Sequence, residues 1–223
     1  MHDGMDFLIE WDRAGLLAVN GMYDAFQDAL WWMVSAKWSS LLLLLALLWV
    51  LMHQNRRHAL LFVAMLALAF LVADQVASGL IKGLVERLRP THDPSLGSLV
   101  HVINGYRGGM YGFVSSHAAN SFAASMLIAL IMRRRLVTVS LFTWALLQCY
   151  SRVYLGVHYP GDILGGIAVG LLAGWLVWML MCWIERRWRL PRGQYTAGHA
   201  AFIAGSLAIT VLALLIAATF QAL

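Results

Sequence analysis

Charge is what this chain has least of. Only 12% of its 223 residues are Asp, Glu, Lys or Arg, against about a quarter in soluble domains, while 61% are hydrophobic. That balance excludes an ordinary water-soluble fold and makes the bilayer the solvent. Proline is scarce, at 4 residues, and no Pro/Ser-rich linker or low-complexity segment interrupts the chain, so one membrane domain is expected over residues 1–223. The 2 cysteines, Cys149 and Cys182, fall in separate apolar runs toward opposite ends; they suit packing rather than a disulfide. The N-terminus lacks a basic region followed by a short apolar core and a small-residue cleavage site, so no cleaved signal peptide is expected.

What is present is a series of long apolar runs: Val34–Met52, Ala59–Ile81, Val114–Met132, Leu136–Gly156 and Gly161–Ile184, with a sixth at His199–Phe220. Each approaches the roughly 20 residues of helix that cross a hydrocarbon core, where only helices and closed barrels satisfy their backbone groups. The expected fold is all-α, an integral membrane bundle of about six transmembrane helices. From Met5 to Met33, Asp6, Glu10, Asp12, Arg13, Asp24 and Asp28 alternate with Leu16, Val19, Tyr23, Phe26 and Leu30. That pattern predicts an N-terminal interfacial helix within residues 1–33, and equally suits a cap on the bundle.

Arg56 and Arg57, Arg133–Arg135, and Arg186, Arg187, Arg189 and Arg192 occupy alternate loops. The positive-inside rule makes those loops cytoplasmic and turns the other loops and both termini outward. The net charge of +5 is therefore mainly topological; scattered over short loops, it does not form a nucleic-acid surface.

The outward loops carry the chemistry. In KGLVERLRP, Lys82 and Arg89 stand seven residues apart, so a continuing helix would stack them on one face before Pro90 stops it, with Asp74 and Ser78 extending the stripe inward. Taken alone, the two cations also fit snorkelling to lipid headgroups. In YGFVSSHAANSFA, a small-residue turn opens the third span; its free amides with Ser115 and Ser116 make an anion site, and His117 follows as a proton donor. A plain serine cap with an incidental histidine reads the same residues as well. In SRVYLGVHYPGD, Arg152 ends one span and Asp162 follows His158 by four residues, a spacing that lets the carboxylate hold one ring nitrogen and leave the other nucleophilic.

Together these three stretches resemble the signature of the type 2 phosphatidic acid phosphatases, membrane enzymes that share a helical core with vanadium haloperoxidases. KGLVERLRP matches Lys, six residues, Arg-Pro; VSSH is similar to Pro-Ser-Gly-His; SRVYLGVHYPGD matches Ser-Arg, five residues, His, three residues, Asp. Val114 and Ser116 stand where the family usually has proline and glycine. The resemblance implies that Lys82, Arg89, Arg152, Ser115 and the backbone around Ser116 hold phosphate, His158 attacks phosphorus to give a phosphohistidine, Asp162 orients it, and His117 protonates the leaving lipid oxygen and then activates water. It calls for no metal and no cofactor.

The expected activity is a lipid phosphatase of a bacterial inner membrane, with its site on the periplasmic or extracellular face and a membrane lipid as its partner. Undecaprenyl diphosphate is the first expected substrate, ahead of lipid A phosphates and phosphatidylglycerol phosphate or phosphatidate. A phosphotransferase shares the first half-reaction, and a non-catalytic anionic-lipid binder or transporter could use the same cations; two histidines, one backed by a carboxylate, favour catalysis. The loop from Thr91 to Tyr111 is long enough to cover the site, with Glu86, Arg87 and Arg107 as candidate headgroup contacts. Gly166, Gly170 and Gly174 predict close helix packing, and Trp31, Trp32, Trp38, Trp183 and Trp188 predict interfacial belts. His92, Asp93 and His101 match no metal-ligand spacing.

Overall fold

The computed structural model describes residues 2–223, without the side chains of residues 2–6 and Leu8, so the side chain of Asp6 lies outside the described residues. The helices run α1 His2–Asn20, α2 Ala25–Ser35, α3 Leu41–Met52, α4 Arg56–Asp74, α5 Lys82–Val85, α6 Ser116–Met132, α7 Arg135–Tyr154, α8 Pro160–Arg187 and α9 Ala197–Ala222. Among the described residues β-pairing is limited to one isolated antiparallel bridge, Leu88 to Tyr111.

Arg56–Val85, α7, α8 and α9 are long and apolar enough to cross a membrane. The third expected span is the shorter α6, of 17 residues. The first is broken. Its apolar run bends by 64° at Ala36, and α2 with Lys37–Met52 forms a bent pair. Tertiary contacts hold the bend: Ser39 Oγ and Gln148 Nε2 both donate to Val34 O at 2.8 Å, and Trp144 Nε1 donates to Ser40 Oγ at 3.0 Å. The N-terminal region is thus two helices rather than one interfacial helix, because the turn after Asn20 and the Asp24 cap, which accepts from Gln27 N at 2.8 Å, start a second helix that packs on α7 and α9.

α6 and α8 make the closest pairing in the bundle. A side chain on Gly166 or Gly174 would come within 2.5 Å of the carbonyl of Ser115 or Ala123, and one on Gly170 would strike Ala119 O. The glycine stripe thus lets two backbones meet and fixes the start of α6 against the start of α8. At the opposite end of the bundle the arginine-rich loops gather: Arg134 Nε donates to Tyr195 O at 2.7 Å, and His58 Nδ1 lies 3.3 Å from Glu185. Cys149 and Cys182 are free.

Candidate active site

Four helix ends meet at one end of the bundle. Between α4 and α5 the helix widens to a π turn over Gln75–Ile81, a form common at functional sites. It still keeps the polar stripe together: Ser78 Oγ lies 3.4 Å from Asp74 and Lys82 Nζ 3.5 Å from Ser78 Oγ. Lys82 Nζ then donates across to Ser116 Oγ at 2.6 Å, which also meets Ser78 Oγ at 2.7 Å.

Arg89 arrives by another route than the one expected. The helix ends at Val85 because Glu86 turns left-handed (φ 50°), so Lys82 and Arg89 do not share a helical face. The chain instead runs extended, with Arg89 N donating to Met110 O at 2.9 Å and Gly112 N to Arg87 O at 2.8 Å. The Arg89 side chain turns inward, donating from Nε to Tyr111 O (3.1 Å) and from Nη1 to Val157 O (3.3 Å). Gly112 is required here, since a Cβ would lie 2.7 Å from Asp162 Oδ2.

Ser115 caps α6. Its Oγ accepts from Ala118 N at 3.4 Å and its amide donates to Asp162 O at 2.9 Å, so its O–H and not its N–H remains to donate. The amides of Ser116 and His117 make no hydrogen bond among the described residues, which leaves two donors at the positive end of the helix dipole. His117 sits in that first turn, near enough to Arg152, Arg89 and Lys82 for their charges to act on it.

Arg152 is 3% exposed. It bonds Ser35 Oγ and donates from Nη2 to the Tyr106 hydroxyl at 3.1 Å, while its Nε is buried without a partner among the described residues. His158 is 1% exposed, with Nδ1 3.3 Å from Asp162 Oδ2. That contact occupies Nδ1 and not Nε2. Burial lowers the His158 pKa well below its ordinary value, and Arg89, Arg152 and Lys82 act in the same direction, so the unliganded site holds a neutral imidazole, the nucleophilic form.

Asp162 is wholly buried, and its carboxylate is fully engaged. Besides His158, Oδ2 accepts from Tyr159 N at 3.0 Å and Oδ1 from Arg87 Nη1 at 3.0 Å. Arg87 Nη1 also lies 2.8 Å from Asp12 Oδ2, and Asp12 Oδ1 accepts from Gly161 N at 2.6 Å. Arg87, expected as a headgroup contact, is thus a strut between α1 and α8, stacked 4.0 Å above the Tyr159 ring.

Sequence reasoning missed Asp12, Ser35 and Tyr106, whose partners lie far away along the chain. Groups of the 91–111 loop are tied to the bundle: Asp93 accepts from Tyr159 OH at 2.8 Å and lies 3.5 Å from Arg13, and His101 Nε2 lies 2.8 Å from Asp28. Trp31 and Trp32 are half-buried and pack on Tyr150 and Tyr106, whereas Trp38, Trp183 and Trp188 are exposed. Glu86 and Arg107 remain exposed at the surface.

Residues 58–189 match the sequence model of the PAP2 superfamily. A lipid A 4'-phosphatase of Porphyromonas gingivalis is 34% identical over 82% of this chain and 78% of its own length. One from Bacteroides thetaiotaomicron is 34% identical over 79% of each. In fold, the chain superposes on the crystal structure of a transmembrane PAP2-type phosphatidylglycerolphosphate phosphatase from Bacillus subtilis with a TM-score of 0.60 and 23% identity, over 80% of this chain and 88% of that one.

Proposed function

Because the chain belongs to the PAP2 superfamily and is a membrane lipid phosphatase, we propose that it removes a terminal phosphate from a lipid through a phosphohistidine on His158. The observation that carries this reading is one buried imidazole, backed by Asp162 on Nδ1, set among Lys82, Arg89 and Arg152 with His117 nearby.

Phosphoryl transfer needs little covalent help from a protein; positioning and stabilisation of charge on the equatorial oxygens do most of the work. Lys82, Arg89 and Arg152, with the free amides of Ser116 and His117 and the Ser115 hydroxyl, supply that stabilisation. His158 Nε2 attacks phosphorus as the bond to the lipid oxygen breaks, and that oxygen takes the His117 proton. Water then attacks phosphorus as its bond to His158 Nε2 breaks, and His117 receives the water proton, which restores His158 and releases orthophosphate. Asp162 carries no proton in either step; it fixes the ring and balances the charge that builds on it. None of these steps assigns work to a metal ion.

Of the substrates expected, lipid A 4'-phosphate now ranks ahead of undecaprenyl diphosphate, because the relatives that match most of this chain are lipid A 4'-phosphatases. The protein is assigned to a bacterial membrane, and the positive-inside rule applied to its arginine-rich loops supports a His158 end that faces outward. Purified protein assayed for orthophosphate against lipid A, undecaprenyl diphosphate, phosphatidylglycerol phosphate and phosphatidate, in the presence of a chelator, tests the reading. Turnover that appears only when a divalent metal is restored would contradict the mechanism.

A further inference from the structure

The cleft beside His117 holds more than this mechanism uses. A cavity of about 720 Å³ opens between the bend at Ala36, α4, α6 and α7. Much of its wall is apolar, with Leu44, Leu47, Phe70 and Ile128 among the lining groups, as suits a lipid chain. Its lining also includes His117 and Asn120 from α6 and Lys37 from the bend.

Lys37 is exposed and has no carboxylate partner among the described residues. Its position is built rather than accidental, since Gln148 and Ser39 hold the bend that carries it. Its charge reaches the site. Burial would raise the Tyr106 phenol, but the charge and hydrogen bond of Arg152, followed by Arg89 and Lys37, hold its pKa below the ordinary value. Lys37 also follows by two residues Ser35, whose Oγ accepts from Arg152. Asn120 Oδ1, three residues on from His117, is buried without a partner among the described residues. Since the two ends of an amide are interchangeable, either can turn toward a ligand.

We propose that Lys37 and Asn120 form a leaving-group subsite for a second phosphate, one that stays on the lipid when the terminal phosphate passes to His158. This rests on the phosphatase reading above and narrows it to lipids carrying two phosphates. In a diphosphate the second group is the leaving group itself, so Lys37 would neutralise charge that grows as the bond breaks, and its loss would lower kcat. In a lipid whose second phosphate is a diester farther from the reacting atom, Lys37 would bind ground and transition states alike, and its loss would raise KM.

The test compares wild type, Lys37→Met, Lys37→Arg and Asn120→Leu in detergent micelles on a prenyl diphosphate, phosphatidylglycerol phosphate and phosphatidate. Lys37→Met is expected to lose about tenfold or more in kcat/KM on at least one two-phosphate lipid and less than about threefold on phosphatidate, with Lys37→Arg restoring most of it and Asn120→Leu losing in the same direction. Equal losses on all three lipids, or no loss on any, would overturn the subsite and leave Lys37 a headgroup-snorkelling residue. Wild-type protein inactive on every lipid would instead sink the phosphatase reading, and the subsite with it.

Discussion

Arg87 donates to the Asp162 carboxylate at 3.0 Å, on the oxygen opposite the one that faces His158. The same nitrogen is shared with Asp12 at 2.8 Å, so the first helix reaches His158 through the Arg87 guanidinium and the Asp162 carboxylate. Arg87→Ala should lower kcat by roughly ten- to a hundredfold while leaving KM near its original value, because a charge-assisted bond that orients a reacting group acts mainly in the transition state. Steady-state kinetics decide it. A rise in KM alone would return Arg87 to the headgroup role expected from the sequence.

Asp162→Asn removes the charge but keeps the shape. Turnover should fall by about 10²- to 10⁴-fold with the folded state retained, as measured by orthophosphate release and by the elution profile in detergent. Near-normal activity would mean that the Gly112 region or another group orients the His158 ring.

The pH dependence has a definite sign. A histidine whose pKa is lowered is neutral above that value, and His158 loses nucleophilicity only as pH falls through it. The His158 ring in the unliganded protein should therefore stay neutral below the ordinary value of about 6.5. Nitrogen NMR of histidine-labelled protein, assigned by comparison with His158→Ala, follows the titration directly. A ring that protonates at or above 6.5 would contradict the cationic, desolvated site.

Helix packing gives a prediction remote from the chemistry. Gly174→Val would bring its Cβ within 2.5 Å of Ala123 O and 2.9 Å of Met126 Cβ, so it should destabilise by about 1–3 kcal/mol and lower the Tm. Gly205→Ala, where nothing lies within 4 Å, should be neutral or stabilising by up to about 1 kcal/mol. Thermal denaturation in a single detergent compares the two.

Much of the site could be read before any coordinates, and the division is physical. His158 and Asp162 are separated by one turn, so their spacing alone nearly determines their contact. Ser115 and His117 were legible because a cap and its first turn are local features. Arg89 was placed on the wrong geometry because Glu86 adopts a left-handed conformation that its residue type does not announce. The bend at Ala36 was hidden for a similar reason: no glycine or proline marks it, and it is held by Gln148 from α7. Asp12 and Tyr106 were illegible altogether. Their roles exist only through Arg87 and Arg152, partners that lie 75 and 46 residues from the positions they bridge to or bond.

During turnover His158 is expected to carry the phosphoryl group. Wild-type protein and a His117→Ala variant, which should form the intermediate from a low-pKa leaving group but hydrolyse it slowly, are to be mixed with terminally ³²P-labelled prenyl diphosphate, quenched in alkali and digested. Acid-labile, alkali-stable label is expected on the peptide containing His158, enriched in the variant and absent from His158→Ala. Label on another residue, or undiminished orthophosphate release by His158→Ala, would contradict it.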